Sequence, residues 1–143
     1  MSENGKPPQA PRLSPYLTVH SAEAALDFYG KAFGFSKREV MNGPDGRVQH
    51  AEMTFHESLI MFAPEGAFGG TCKSPRTSGA EPPIGLYLYC ADVDALFAQA
   101  RAAGATVVKE PADMFWGDRM CCVADPDGYR WSFATHKGEL AKA

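Results

Sequence analysis

Apolar and polar positions alternate where the chain first becomes regular. Over 13–20, Leu17 and Val19 fall on one side and Tyr16 and Thr18 on the other, the period-two pattern of a half-buried strand. At Ser21 the period changes. Ser21 offers a capping hydroxyl, Ala22, Leu26, Tyr29 and Phe33 recur at helical spacing, and Gly34 supplies a stop. A helix over 22–33 is therefore predicted. Residues 35–41 read as a second strand and 42–46 as a turn rich in Asn, Gly, Pro and Asp. From 47 to 55 the alternation is regular, with Ala51, Met53 and Phe55 facing one way and His50, Glu52 and Thr54 the other. Residues 56–57 turn the chain and 58–63 form a fourth strand.

The stretch 64–83 breaks the pattern, with four Pro, four Gly, two Ser and two Thr. It reads as a long linker. The order of elements then begins again. Residues 84–90 form a strand, Asp92 caps a helix carrying Val93, Leu96, Phe97 and Ala100, and Gly104 stops it. Strands follow over 105–109 and 118–124, Asp125-Pro126-Asp127-Gly128 is a tight turn, and 129–135 is the last strand. A shift of 70 residues superposes Ala25 on Ala95, Leu26 on Leu96, Ala32 on Ala102 and Gly34 on Gly104. A β-α-β-β-β unit is thus repeated. The fold expected is α+β: two tandem βαβββ modules, 13–63 and 84–137, forming a curved, partly open mixed sheet with a concave groove. A flexible arm (1–12), the linker (64–83) and a C-terminal tail (138–143) complete the division.

Composition narrows the function. With 45% hydrophobic and 22% charged residues the chain has the balance of a globular protein, which excludes wholesale disorder. The net charge of −3 and the absence of long Lys/Arg runs argue against nucleic acid or an anionic membrane as partner. No apolar run approaches the roughly 18 residues a membrane helix needs, and the polar, Pro-rich start lacks a signal-peptide core. Cys72, Cys90, Cys121 and Cys122 form no CxxC pair, which fits a reduced, cytoplasmic protein with inert thiols.

The segments SAEAALDFYGKAFGF and CADVDALFAQARAAGATVV, with DPDGYRW near the end, resemble the vicinal-oxygen-chelate superfamily, which holds glyoxalase I, extradiol dioxygenases, fosfomycin-resistance enzymes and bleomycin-binding proteins. VQHAEMTFHESLIMF and DMFWGDRMCCVADPDGYRWSFATH resemble its PhnB-like branch. The resemblance covers roughly residues 13–137. It implies paired βαβββ modules, often as a homodimer with modules packed or swapped between chains. In metal-using members, His, Gln or Glu side chains from the first and last strand of each module hold a divalent ion. Carried over by spacing, those positions are Ser14, Ile60, Gly85 and Ser132. Ser is a poor ligand for Zn, Ni, Mn or Fe, and Ile and Gly offer no side-chain donor. The resemblance therefore implies a fold without the usual metal, and no cofactor is expected.

If those four positions face inward, so do their i±2 neighbours. The groove lining expected is Tyr16, Thr18, Phe62, Tyr87, Tyr89, Arg130 and Ser132, with His50 and Glu52 from the third strand, all converging on one cavity. The alternative is that these aromatics fill a core. His50 and Glu52 share a face and could act as a polar anchor, an acid–base pair or, with His56, part of a metal site; a hydrogen-bonded pair in a solvated cleft is the plainer reading. Trp116 would form a lip, and Arg119 or Arg130 could hold an anionic group, or Arg130 could pair with Glu52. The DPDG turn is read as structural, and His20 and His136 as solvated strand ends. The function expected is binding of a small, partly aromatic organic molecule. An enzyme of lyase, isomerase or dioxygenase type, using His50/Glu52 or unanticipated metal ligands, is the alternative.

Overall fold

In the computed structural model, which describes residues 5–138, the elements are β1 (Tyr16–Val19), α1 (Ala22–Phe33), β2 (Ser36–Asn42), β3 (Val48–Phe55), β4 (Ser58–Pro64), α2 (Pro75–Ser78), β5 (Leu86–Tyr89), α3 (Val93–Ala102), β6 (Thr106–Asp113), β7 (Asp118–Ala124) and β8 (Arg130–His136). The βαβββ order occurs twice, as the alternation and caps predict. Of the predicted arm and tail, residues 1–4 and 139–143 lie outside the described residues. By packing, the chain divides into two units. The first holds residues up to Gly30 together with Gly34–Ser74; the second holds Lys31–Phe33 and the chain from Pro75 onward.

In the first unit the strand order is β1-β4-β3-β2. β1 lies parallel to β4, while β3 is antiparallel to both β4 and β2, so the sheet is mixed. The Ser21 hydroxyl accepts from the Ala24 amide and starts α1; Gly34, at φ 75°, ends it in the left-handed conformation that glycine reaches without strain. The face of the sheet under α1 is apolar. Leu17 pairs with Phe62, Phe62 with Ala51, and Met53 with Ile60 across the ladder, and all five are buried. The Tyr29 ring packs at 5.5 Å from Phe62 and 5.8 Å from Phe35. Phe62 therefore belongs to the core below α1 and not to a groove, which corrects its expected place. Strand alternation is the reason: Phe62 shares a face with Ile60 and has Leu17 as neighbour, whereas Met61 pairs with Tyr16 and Glu52.

The second unit repeats the plan, with order β5-β8-β7-β6 and β5 parallel to β8. The Asp92 carboxylate accepts from the Ala95 amide at the start of α3. Val93, Phe97 and Ala100 are buried on that helix, while Trp131 and Phe133 present their rings to Phe33 at 5.4 and 4.8 Å. The DPDG turn is structural: the Asp125 carboxylate accepts from the Asp127 and Tyr129 amides and from the Trp131 indole N–H.

Two segments differ from expectation. β6 runs to Asp113, where only 105–109 is predicted. Pro111 sits in an irregular stretch of this edge strand between Lys109 and Ala112, where no ladder N–H is required of it. The stretch 64–83 is not bare coil: it carries a 3-10 turn at Ala67–Gly69 and the one-turn helix α2, begun by Pro75, whose fixed φ suits a first helical turn. Within it Ser74 is fully buried, its amide and hydroxyl both donating to Glu65 Oε1.

Candidate functional site

Each sheet has a face turned from its helix, and the chemistry collects there. In the first unit, alternation places Tyr16 and Thr18 of β1 and His50, Glu52 and Thr54 of β3 on that face. Tyr16, His50 and Glu52 are joined. The Tyr16 hydroxyl lies 2.7 Å from His50 Nδ1, and His50 Nε2 lies 2.9 Å from Glu52 Oε2. Arg38 then donates to the other carboxylate oxygen at 2.9 Å. Arg38 is the extra residue of a β-bulge between Lys37 and Glu39, which turns its guanidinium onto Glu52. Burial, and then the charge of Glu52, push the Tyr16 phenol upward, so it stays protonated.

In the second unit the organising group is Asp118, at the start of β7. Its side chain is buried and accepts from four donors: the Tyr87 hydroxyl at 2.7 Å, the Tyr89 hydroxyl at 2.9 Å, Trp116 Nε1 at 3.2 Å and His136 Nδ1 at 2.9 Å. The His136 bond first, and then the Tyr87 bond, hold the Asp118 carboxyl down at about 2. Burial and the bond to Asp118 push the Tyr87 phenol up to about 12. The hydroxyls converge on the carboxylate while the Tyr87 and Tyr89 side chains stay exposed, their rings edge-to-face at 5.6 Å. A cavity of about 620 Å³ reaches Asp118 and is lined by Asp113, Met114, Gly117, Asp118, Arg119, Lys137 and Gly138, with the Tyr87 and Tyr89 rings outside its lining.

The structure thus brings Tyr16, His50 and Glu52 together in one unit, and Tyr87, Tyr89 and Trp116 in the other. Thr18 and Ser132 lie on the corresponding faces, and Ser132 pairs with Tyr87 in the ladder. The two arginines are placed differently from expectation. Arg119 follows Asp118 and so points to the opposite face, where it grips Asp94 of α3 through two bonds of 2.9 and 3.0 Å and also reaches Asp113. Arg130 is exposed and pairs with Glu81 at 2.8 Å, while Glu52 has Arg38.

Asp118 is not among the site residues that the sequence singles out. His136 is the exposed end of β8, as the sequence suggests, and is also the direct cross-strand partner of Asp118. The available signal was parity: burying Cys121 and Val123 under α3 forces Asp118 to the face that holds Tyr87 and Tyr89.

The divalent ion of metal-using relatives does not fit these residues. Ile60 lies under α1, 2% exposed, and its neighbours on the other face, Leu59 and Met61, bring no oxygen or nitrogen donor. Ser14 and Gly85 precede β1 and β5, and neither supplies a good ligand. Among the described residues no group of three or more His, Cys, Asp and Glu side chains could hold a metal ion. Burial pushes the Cys121 thiol up to about 11 and raises that of Cys90.

Comparison with known proteins agrees with the duplicated plan. The uncharacterized protein Mb0911c of Mycobacterium bovis is 42% identical over 125 residues, covering 85% of this chain and 81% of that protein. TioX from Micromonospora sp. ML1 superposes with a TM-score of 0.72 at 25% identity, over 89% of this chain and 99% of its own. A glyoxalase/bleomycin resistance protein/dioxygenase family enzyme from Burkholderia phytofirmans PsJN shares the fold, with a TM-score of 0.66 at 21% identity over 86% and 96% of the two chains. Residues 12–133 match the corresponding family, and on that match the chain belongs to the Glyoxalase/Bleomycin resistance protein/Dioxygenase superfamily.

Proposed function

We propose that this chain is a PhnB-like member of the superfamily that binds a small, partly aromatic organic molecule without the family metal. The observation that carries this reading is the Asp118 cluster. Four donors on one buried carboxylate fix Tyr87, Tyr89 and Trp116 in place while leaving the tyrosine side chains accessible. Rings already held still lose little further freedom on binding, so stacking energy is retained as affinity. The donor-poor positions Ser14, Gly85 and Ser132, with Leu59 and Met61 on the groove side of β4, support binding without metal-assisted turnover.

The active form in this reading is a homodimer in the cytoplasm. Edge strands support the dimer: β2 exposes Val40 and Met41, and β6 exposes Val107 and Val108. Among the described residues no helix is long and apolar enough to cross a membrane.

The test is a fluorescence titration of the full chain with a panel of heteroaromatic compounds. Trp116 reports, and a Trp116→Phe variant subtracts the buried Trp131. Saturable quenching is expected, weakened about tenfold or more in Tyr87→Ala with the far-ultraviolet spectrum unchanged. Equal affinity in wild type and Tyr87→Ala refutes the reading.

A further inference from the structure

The first unit holds a second cluster that binding alone does not use. Of its members Tyr16 is half-exposed at 51%, while the His50 and Glu52 side chains are only 13% and 19% exposed and both imidazole nitrogens are engaged. The pair that looks like an acid–base couple in the sequence is therefore screened from a ligand, and the phenol stands in front of it. We propose that Tyr16 is a catalytic general base of the first sheet, relaying a proton from a weakly acidic organic molecule, a phenol or an enol, to His50. This goes beyond the binding reading and rests on different residues, in the other unit.

The direction of the relay follows from the partners. An ionised carboxylate only accepts, so Glu52 keeps a proton on His50 Nε2 and leaves the Nδ1 lone pair to receive the Tyr16 O–H. The phenol oxygen retains lone pairs for an incoming donor. When a ligand X–H binds there, its proton forms a new O–H bond on Tyr16 as the X–H bond breaks and X keeps the electron pair. The original Tyr16 proton passes to Nδ1. A neutral ligand and a neutral imidazole become an anion and an imidazolium, with no other reactant, and the reverse transfer restores the site. Glu52 pairs with the imidazolium and Arg38 fixes Glu52; both are positioning residues. Because Tyr16 is held above its ordinary ionisation range, it passes protons on and does not rest as a phenolate.

The probe is 4-nitrophenol, whose phenolate absorbs visible light, added to the full chain carrying 15N-labelled histidine. With wild type, the ionisation midpoint of bound dye should fall by about one to three pH units, because an imidazolium forms close by. The His50 signals should change together from an Nε2–H imidazole to a doubly protonated ring. Tyr16→Phe keeps the ring but removes the relay oxygen, and His50→Gln removes the acceptor; each should abolish the shift. Glu52→Leu removes the acceptor and should still bind dye but lose the preference for the Nε2–H tautomer. A wild-type protein that leaves the dye's midpoint unchanged, or an equal shift in Tyr16→Phe, overturns the relay. Dye that binds unshifted, with its affinity dependent on Tyr87, overturns the relay while leaving the binding reading intact.

Discussion

Replacing Asp125 with Ala removes three hydrogen bonds at once. Two are backbone amides that shape the β7–β8 turn, Asp127 N–H at 2.9 Å and Tyr129 N–H at 3.0 Å. The third is the indole N–H of Trp131, at 2.8 Å, on a side chain with no solvent exposure. The turn amides are worth about 0.5–1.5 kcal/mol each, and an indole N–H left buried without a partner costs about 1–3 kcal/mol. The expected loss is therefore about 2–6 kcal/mol, a large fraction of the roughly 5–15 kcal/mol that stabilises a typical domain. Asp125→Asn should cost less, because one oxygen still serves the turn, although its amide nitrogen then faces the indole donor.

The consequence reaches the candidate site, because this turn sets the register that pairs Asp118 with His136 and Cys122 with Ser132. A slip of one residue would carry Asp118 to the α3 side. The assay is urea unfolding at 25 °C, comparing wild type, Asp125→Ala, Trp131→Phe and the double variant. A coupling of about 1–3 kcal/mol between the two positions is expected, with unchanged denaturant slope. A loss below about 1 kcal/mol in Asp125→Ala, or a coupling near zero, would refute the assignment of the turn as a buried clamp.

Stability should also depend on acid through Asp118. Its folded value of about 2 lies below the ordinary 3.8, so its contribution is present above about pH 4 and is lost as pH falls from 4 towards 2. Thermal midpoints across that window should fall more steeply in wild type than in Asp118→Asn, and parallel curves would contradict the network. Phe62→Ala should cost about 3–5 kcal/mol by urea unfolding, as a core truncation under α1 does, with ligand affinity unchanged; a mild stability effect with lost binding would return Phe62 to the site. Elemental analysis should find no stoichiometric Ni, Zn, Mn or Fe, and one ion per chain with chelator-sensitive function would reverse the metal-free reading. Light scattering at micromolar concentration should report a dimer, and a particle of one chain's mass would contradict it.

Local chemistry wrote much of this fold into the sequence. Ser21 and Asp92 cap their helices through their own side chains, Gly34 ends α1 because it reaches positive φ freely, and period-two alternation over β3 and β5 sends His50, Glu52, Tyr87 and Tyr89 away from the helices. These are decisions of neighbouring residues, so a linear reading can follow them. Phe62 shows how the same reading fails: a one-residue error in where the fourth strand starts its alternation inverts the face, and only the pairing with Leu17 and Ala51 fixes it. Arg119 and Arg130 look alike as free cations in sequence, yet one is consumed by Asp94 and Asp113 and the other by Glu81. The grouping of Tyr87, Tyr89, Trp116 and His136 on Asp118 joins residues 2 to 31 positions apart, and the bulge that aims Arg38 at Glu52 spans 14. Tertiary structure alone decided those partners, because a carboxylate can bond to any donor the fold delivers and its own neighbours in the chain do not specify which.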